Sequence, residues 1–316
     1  MRLLDGPDTR SAPRVVLSAD TTVAAVPRGA AVELIDVASG ARRRVELPDH
    51  AEVLALSPDG SWLAAGARRV TVVDCAHEPR TLAHTRVDPP LRRIAVGRGL
   101  VVGLSGSEGA SMLRAWSGDQ LELVAAGPSW EGVAAEGLAL DSGHARAVVW
   151  GVQGEQADLG DGRRFVRLCA VGAGKVSELW TGEGAPAEPN GFLLPLDGGS
   201  LGVYDQEGMV VIAAGEWRRS DHLAWGNVEI AVASPDGSHV AWVGADGDDR
   251  TRVRVAEMES GTVVCDAVMP AVALPVLAVS DTGRAMVAFG ELPDTVRTFA
   301  VADGQVEPLA VVDLTT

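Results

Sequence analysis

The chain has 316 residues, enough for one large domain or two smaller ones, and 47% of them are apolar, which predicts a packed core and argues against long disordered segments. The formal net charge is −16 at pH 7. A surface of that sign repels phosphate backbones and anionic membranes, so we expect neither a nucleic-acid partner nor a membrane partner.

The sequence contains an internal repeat built on a tight turn. The stretch SPDGSWLAAG at residues 57–66 returns as SPDGSHVAWVG at residues 234–244 and, in weaker form, as SDTGRAMVAFG at residues 280–290. Each copy lies between short runs rich in Val, Leu and Ala, bounded by Gly, Pro, Asp and Ser. This composition is typical of strands joined by turns.

In chain order, seven units of four short strands follow one another. Their first strands are predicted at residues 15–17, 53–56, 93–96, 137–140, 192–195, 228–233 and 276–279. Their closing hairpins are predicted at residues 32–47, 70–84, 113–124, 165–180, 209–219, 253–268 and 296–312. The first strand of each unit is almost uniformly apolar, which predicts an innermost strand packed on both faces.

The spacing of the units predicts the fold. The units cover residues 14–48, 49–88, 91–127, 130–184, 190–220, 227–269 and 275–313. A period of about 40 to 45 residues is that of a four-stranded propeller blade, and stacking blades in a ring covers the apolar faces that a lone blade would expose. We therefore expect an all-β chain, with residues 1–316 forming a single seven-bladed β-propeller of four-stranded antiparallel blades. The ring closes either by packing of the first unit on the seventh or by pairing of residues 2–5 with an outer strand.

These motifs resemble the bacterial TolB-type and WD-repeat propellers over nearly the whole chain. The resemblance is carried by the SPDG turns at Ser57 and Ser234, the apolar strand after each turn, and the hairpin DVASG at residues 36–40. The Trp-Asp dipeptide of WD repeats is absent, so the resemblance implies a fold and no particular function. The N-terminal residues contain no apolar stretch of secretory length, and no run reaches the length of a transmembrane helix, so we expect a cytoplasmic protein.

Two residue types in the strands have structural interpretations. The cysteines, Cys75, Cys169 and Cys265, are odd in number and lie in apolar patterns, which predicts buried, inert thiols. The tryptophans that follow the turns, Trp62, Trp150 and Trp242, are expected to pack between neighbouring blades.

Acidic insertions are the candidate binding site. They fall at residues 106–111, 154–164 and 245–252, between second and third strands, and this placement predicts a common rim. Their acidic residues are Glu108, Glu155, Asp158, Asp161, Asp246, Asp248 and Asp249. The rim either binds a protein or peptide partner or consists of solvated loop tips. A calcium site is a further option, but neither acidic cluster continues with the glutamate of an EF-hand loop, so we expect no metal and no cofactor.

No catalytic constellation is present in the sequence. HExxH, GxSxG, a P-loop and a GxGxxG after a strand are all absent. We therefore expect a non-catalytic interaction or scaffold module. The alternative is a propeller hydrolase or lactonase with a metal or small ligand at the mouth of the central channel.

Arginine pairs recur along the chain, at residues 68–69, 92–93, 163–164 and 218–219, with three arginines at residues 42–44. Charges on an outer strand block pairing with other chains. Anion binding is the second interpretation of these pairs.

Overall fold

The computed structural model describes residues 15–314, except for residues 98, 108–109, 142–144, 157–160, 173, 184–190, 194–200, 206–207, 214–215, 221–227, 248, 273–274 and 292–294. The described residues form strands and turns without a helix, so none of them forms a helix that could cross a membrane. The predicted all-β class is confirmed.

The first four sheets each contain four consecutive strands. Sheet 1 holds β1 (Val16–Leu17), β2 (Val23–Arg28), β3 (Ala31–Asp36) and β4 (Arg42–Glu46). Sheet 2 holds β5 (Val53–Leu56), β6 (Trp62–Gly66), β7 (Arg69–Asp74) and β8 (Arg80–Arg86). Sheet 3 holds β9 (Leu91–Gly97), β10 (Leu100–Ser107), β11 (Ala110–Ser117) and β12 (Leu123–Glu131). Sheet 4 holds β13 (Val133–Asp141), β14 (Arg146–Gln156), β15 (Asp161–Gly172) and β16 (Lys175–Glu183).

Three further sheets complete the described chain. Sheet 5 holds β17 (Gly191–Leu193), β18 (Leu201–Asp205), β19 (Gly208–Ala213) and β20 (Glu216–Ser220), and it is described by its backbone pairing alone. Sheet 6 holds β21 (Ile230–Ala233), β22 (His239–Ala245), β23 (Arg250–Glu257) and β24 (Val263–Pro270). Sheet 7 holds β25 (Val276–Val279), β26 (Ala285–Glu291), β27 (Thr295–Ala302) and β28 (Gln305–Asp313). Every pairing is antiparallel and joins strands adjacent in the chain, as predicted.

Burial changes across each sheet from the centre outward. First strands of neighbouring sheets contact one another, so they line the centre. The second and third strands are buried on both faces, as in β6 and β7, whereas the outer strand β24 alternates between buried and exposed residues. Val53 and Ala55 of β5 pack with sheet 3, and Leu54 and Leu56 pack with sheet 1, so the predicted packing of this innermost strand on both faces is confirmed. Its residues are only half-buried, because one edge of an innermost strand is open to the centre.

Shared core clusters join the sheets in succession. Sheets 1 and 2 meet around Leu34 and Leu63, and sheets 2 and 3 meet around Val72 and Val101. Further clusters join sheets 3 and 4, and sheets 6 and 7. These joined sheets bury apolar faces of their middle strands against each other, which removes from water the apolar area that a lone blade would expose.

The first and last sheets also pack on each other. Ala24 and Ile35 of sheet 1 share a cluster with Met286 of sheet 7. The guanidinium of Arg28 donates from Nη2 to the carbonyl oxygen of Leu314 at 2.8 Å. Closure by packing, the first of the two predicted modes, is therefore present, while residues 2–5 lie outside the described residues.

The cysteines and tryptophans have different outcomes. Cys75, Cys169 and Cys265 are buried free thiols, as predicted. Trp62 packs on sheet 3, which confirms its expected place between blades. Trp242 packs beside Val240 and Ala256, and Trp150 lies across Gly137 of its own sheet. Their neighbours Ala241 and Val149 pack toward sheets 7 and 3, so both indoles project from the opposite faces, where the side chains of sheet 5 lie outside the described residues. Packing of these two tryptophans between blades therefore stays a prediction.

Candidate functional site

The connections between strands lie on two opposite rims. We call the rim at which the second strand of each sheet ends and the third begins the variable rim. The fourth strand of each sheet ends, and the first strand of the next sheet begins, on the same side. The opposite rim carries the SPDG-type turns and the hairpins between third and fourth strands, and we call it the turn rim. Antiparallel pairing within every sheet makes this division necessary.

Topology places the four predicted acidic residues within the described chain, Glu155, Asp161, Asp246 and Asp249, on the variable rim. Glu108, Asp158 and Asp248 lie outside the described residues. Glu155 and Asp161 lie in the described backbone of β14 and β15, where residue 156 pairs with residue 161. The hairpins of sheets 3, 4 and 6 that carry these residues are therefore on one side of the molecule.

Two of the predicted insertions are shorter than expected. Strands β10 and β11 continue through most of residues 106–111, and β14 and β15 occupy most of residues 154–164. Backbone pairing extends beyond the apolar core here, into residues that are polar or glycine. Sequence periodicity detects a strand through its apolar side chains, so it does not detect strand ends made largely of polar residues and glycine.

Asp246 is neutralised by two arginines. Its Oδ2 lies 3.4 Å from Nη2 of Arg250, and its Oδ1 lies 3.4 Å from Nη1 of Arg252. Its backbone N–H donates to the carbonyl oxygen of Arg250 at 2.9 Å, and this hydrogen bond closes the hairpin loop between β22 and β23. Asp249 is exposed, and its carbonyl oxygen accepts the N–H of Ala271 at 2.9 Å. Arginines four and six residues after Asp246 in the sequence are the feature that could have predicted its ion pairs. Of the two aspartates, Asp249 is the one without an ion pair among the described residues.

The SPDG turn of sheet 2 is a network of local hydrogen bonds. Oδ1 of Asp59 accepts the hydroxyls of Ser57 at 2.6 Å and Ser61 at 2.7 Å, and the Ser57 hydroxyl accepts the N–H of Trp62 at 2.9 Å. Gly60 has a φ of 67°, the left-handed conformation that favours glycine. Partial burial raises the pKa of Asp59, but the hydrogen bonds from both serines outweigh it and hold that pKa below its ordinary value.

The turn of sheet 6 repeats this network. Oδ1 of Asp236 accepts the hydroxyls of Ser234 at 2.6 Å and Ser238 at 2.7 Å. Partial burial raises its pKa, but these hydrogen bonds prevail and lower the pKa of Asp236 to about 2. The repeat is therefore explained by turn geometry, as the sequence indicates, and the two strong copies share one hydrogen-bonding pattern.

Turns of neighbouring sheets contact each other on the turn rim. The N–H of Asp20 donates to the carbonyl oxygen of Pro58 at 2.8 Å, which joins sheets 1 and 2. The N–H of Asp236 donates to Oδ1 of Asp281 at 3.0 Å, which joins sheets 6 and 7. Partial burial, together with the facing carboxylate of Asp236, raises the pKa of Asp281. These contacts give the turn rim a structural role.

Arginines of the outer strand β4 hold sheet 1 to both neighbours. Arg42 donates from Nη1 to the carbonyl oxygen of Asp313 in sheet 7 at 2.6 Å. Arg43 donates from Nη1 to the carbonyl oxygens of Cys75, at 3.0 Å, and His77 in sheet 2. The sequence offered edge protection or anion binding for these residues, and it missed this role because the acceptors are backbone atoms of other sheets.

A cation also lies between sheets 3 and 4. The guanidinium carbon of Arg167 is 4.9 Å from the ring centroid of Trp130 and 5.2 Å from that of Phe165. Nη1 of Arg167 lies 3.4 Å from Oε2 of Glu178. An arginine that is stacked and paired in this way stabilises the contact between blades.

Metal binding has no candidate in the described part of the chain, where no three His, Cys, Asp or Glu side chains come together in a possible metal site. Burial raises the pKa of the thiols of Cys75 and Cys169 to about 12. These two thiols are protonated at neutral pH, which suits packing better than ligation or nucleophilic chemistry.

Solved structures of WD40 propellers resemble this chain. The WD40 β-propeller domain of Doa1 matches with 14% identity and a TM-score of 0.58, covering 91% of this chain and 92% of that chain. Kluyvelomyces marxianus Hsv2 matches with 14% identity and a TM-score of 0.61, covering 97% and 100%. KlHsv2 with loop 6CD replaced by a Gly-Ser linker matches with 15% identity and a TM-score of 0.58, covering 95% and 97%.

At these identities the likeness establishes the fold alone, an all-β propeller of the WD-repeat-like kind. The resemblance to TolB-type proteins stays a prediction. No protein-family model and no curated protein sequence matches the chain.

Proposed function

We propose that residues 1–316 form one seven-bladed propeller domain that acts as a non-catalytic, cytoplasmic interaction module and binds a protein or peptide on the variable rim. The proposal is supported by the strand topology, which puts the junctions between second and third strands of sheets 3, 4 and 6, where these acidic residues fall in the sequence, on one side of the sheets. Loops held by a rigid scaffold are where such folds place recognition. Asp249 is the described carboxylate of this set that is exposed and has no ion-pair partner among the described residues.

The expected partner surface is basic. The chain has a formal net charge of −16, and the acidic hairpin tips add negative potential to one rim. Complementary charge increases the association rate and orients the encounter more than it increases affinity. Partner capture is therefore expected to weaken as ionic strength rises.

The test is affinity capture from the native host with matched charge-reversal variants. The rim variant is D248K/D249K, which leaves Asp246 and its arginine pairs intact. The control is Glu259→Lys, an exposed acid of the same sheet on the turn rim. We expect the rim variant to lose partners that the control retains. Identical capture profiles for the two variants would refute the proposal.

The alternative from the sequence, a hydrolase or lactonase with a metal at the channel mouth, stays a prediction. It is tested by the metal content of the purified protein and by the effect of a chelator on its melting temperature. A bound stoichiometric metal whose removal lowers the melting temperature would favour this alternative over the interaction module.

A further inference from the structure

Three arginines meet where sheet 2 reaches the variable rim. Arg68 lies in the hairpin between β6 and β7 and is exposed, Arg69 begins β7, and Arg86 ends β8. The register of the two strands places Arg69 directly opposite Arg86. The backbone is held firmly here, because the carbonyl oxygen of Arg68 accepts the N–H of Val87 at 2.9 Å.

Strand alternation shows which way the pair points. Val72 of β7 packs on sheet 3, while Val73 packs on sheet 1. Arg69 is four residues before Val73 and shares its face, and a residue directly opposite projects to the same side. Arg69 and Arg86 therefore both face the crevice between sheets 1 and 2, and His84 lies on the same face of β8, opposite Thr71.

This arrangement is unfavourable unless a negative charge accompanies it. Residues directly opposite in an antiparallel pair have Cβ atoms about 5 Å apart, and like charges at that position destabilise the sheet. In the described chain, no carboxylate lies within 4.0 Å of the guanidinium nitrogens of Arg68, Arg69 or Arg86. Arg80, on the same strand as Arg86, shows the contrasting case, since its Nη2 lies 3.3 Å from Oδ2 of Asp74.

The carboxylates of the facing connection form no ion pair with Arg69 or Arg86 among the described residues. Glu46 at the end of β4 accepts Nε of Arg44 at 2.7 Å. Oδ1 of Asp49 accepts the backbone N–H of His50 at 2.9 Å. Glu52 begins the approach to β5 and is exposed, without an ion pair among the described residues. The guanidinium groups of Arg69 and Arg86 therefore have no carboxylate partner among the described residues, and their N–H donors are open to an external anion.

We propose that Arg69 and Arg86, with Arg68 at the edge, bind one doubly charged oxyanion of the phosphate class, either free or carried on a larger ligand. Guanidinium groups present parallel N–H donors that match the oxygens of phosphate. A phosphate monoester carries about 1.5 to 2 negative charges at pH 7, which balances two arginines, whereas a carboxylate balances one. The site is separate from the acidic hairpins of sheets 3, 4 and 6, so it does not depend on the proposed function.

The experiment measures the melting temperature of the full chain as inorganic phosphate is added at constant ionic strength, with chloride as the reference anion. Binding to the folded state raises the melting temperature with phosphate concentration. We expect R69Q and R86Q each to weaken phosphate binding by about tenfold or more. R80Q, which removes a paired arginine from the same strand, is expected to keep the wild-type response.

A second readout excludes a merely structural effect. Without phosphate, R69Q is expected to melt at a higher temperature than the wild type, because the like-charge pair is relieved. A phosphoserine peptide compared with inorganic phosphate distinguishes a carried group from a free one. D248K/D249K is expected to retain the phosphate response whether or not it loses its partner. Equal phosphate responses of R69Q, R80Q and the wild type, or a lower melting temperature of R69Q without phosphate, would overturn the proposal.

Discussion

Gly118→Ala tests the packing of sheet 3 on sheet 2. Gly118 begins the hairpin between β11 and β12, and a Cβ added there would lie 1.7 Å from Cζ3 of Trp62, and 2.7 and 2.8 Å from two further ring atoms. Its φ lies outside the left-handed region, so the cost comes from contact and not from backbone strain. The indole must move, and it is half-buried where it packs on sheet 3. We expect a loss of about 1–3 kcal/mol in the free energy of unfolding, the range of ordinary overpacking.

The assay is urea denaturation, with Gly172→Ala as the matched control. At Gly172 the nearest atom to an added Cβ is the carbonyl oxygen of Lys175, 3.8 Å away, so this variant is expected to stay within about 0.5 kcal/mol of the wild type. The double variant with Trp62→Leu removes the obstructing ring, so Gly118→Ala should then cost less than about 1 kcal/mol. If Gly118→Ala proved as stable as Gly172→Ala, or its cost persisted beside Trp62→Leu, the described contact between sheets 2 and 3 would be refuted.

Three further predictions concern the turns and the core. Asp59→Ala removes the carboxylate that accepts the hydrogen bonds of the SPDG turn. We expect it to lower the free energy of unfolding in urea denaturation by about 1 kcal/mol and to leave partner capture unchanged. A loss of partner capture would give the turn rim a binding role. The pKa values of Asp36, Asp59 and Asp236 are lower in the folded chain than the ordinary 3.8. The stability that these carboxylates contribute to the fold is therefore complete above about pH 4 and is lost as pH falls toward 2. A melting temperature that is flat from pH 5 to 2 would contradict this. Cys75 and Cys169, whose pKa values are about 12, are expected to resist a thiol reagent at pH 8 until the chain is unfolded in urea, and rapid labelling of the native protein would show that their burial is wrong.

Local chemistry explains which parts of the fold were predictable. In the turn of sheet 2, the side-chain hydrogen bonds join residues within five positions of each other: Asp59 bonds to serines two residues away, and Ser57 bonds to Trp62 five residues away. Such hydrogen bonds form wherever the local sequence occurs, so the motif indicates them directly. The strand pattern, the four-strand unit and the placement of acidic hairpins on one rim follow from the same local reasoning, repeated along the chain.

The candidate site was predictable in position but not in detail. Sequence order alone places the hairpins of sheets 3, 4 and 6 on one side. It does not show that Asp246 is paired with Arg250 and Arg252 while Asp249 is open. From the sequence, the arginines at residues 68–69 have two interpretations, protection of a sheet edge or anion binding. The opposition of Arg69 and Arg86 depends on strand register, which is set by a pairing between residues 17 positions apart.

Sequence by itself determined the all-β class, the four-stranded repeat and the turn chemistry, because these depend on residues close together in the chain. Only the tertiary structure decided how the sheets are joined. Arg43 reaches an acceptor 32 residues away, and the acceptor of Arg42 is 271 residues away. Such contacts exist only after the sheets have packed on one another, so no local pattern records them. Of the arginines that suggested a protected edge, Arg43 proves to join sheet 1 to sheet 2 and Arg42 proves to join it to sheet 7.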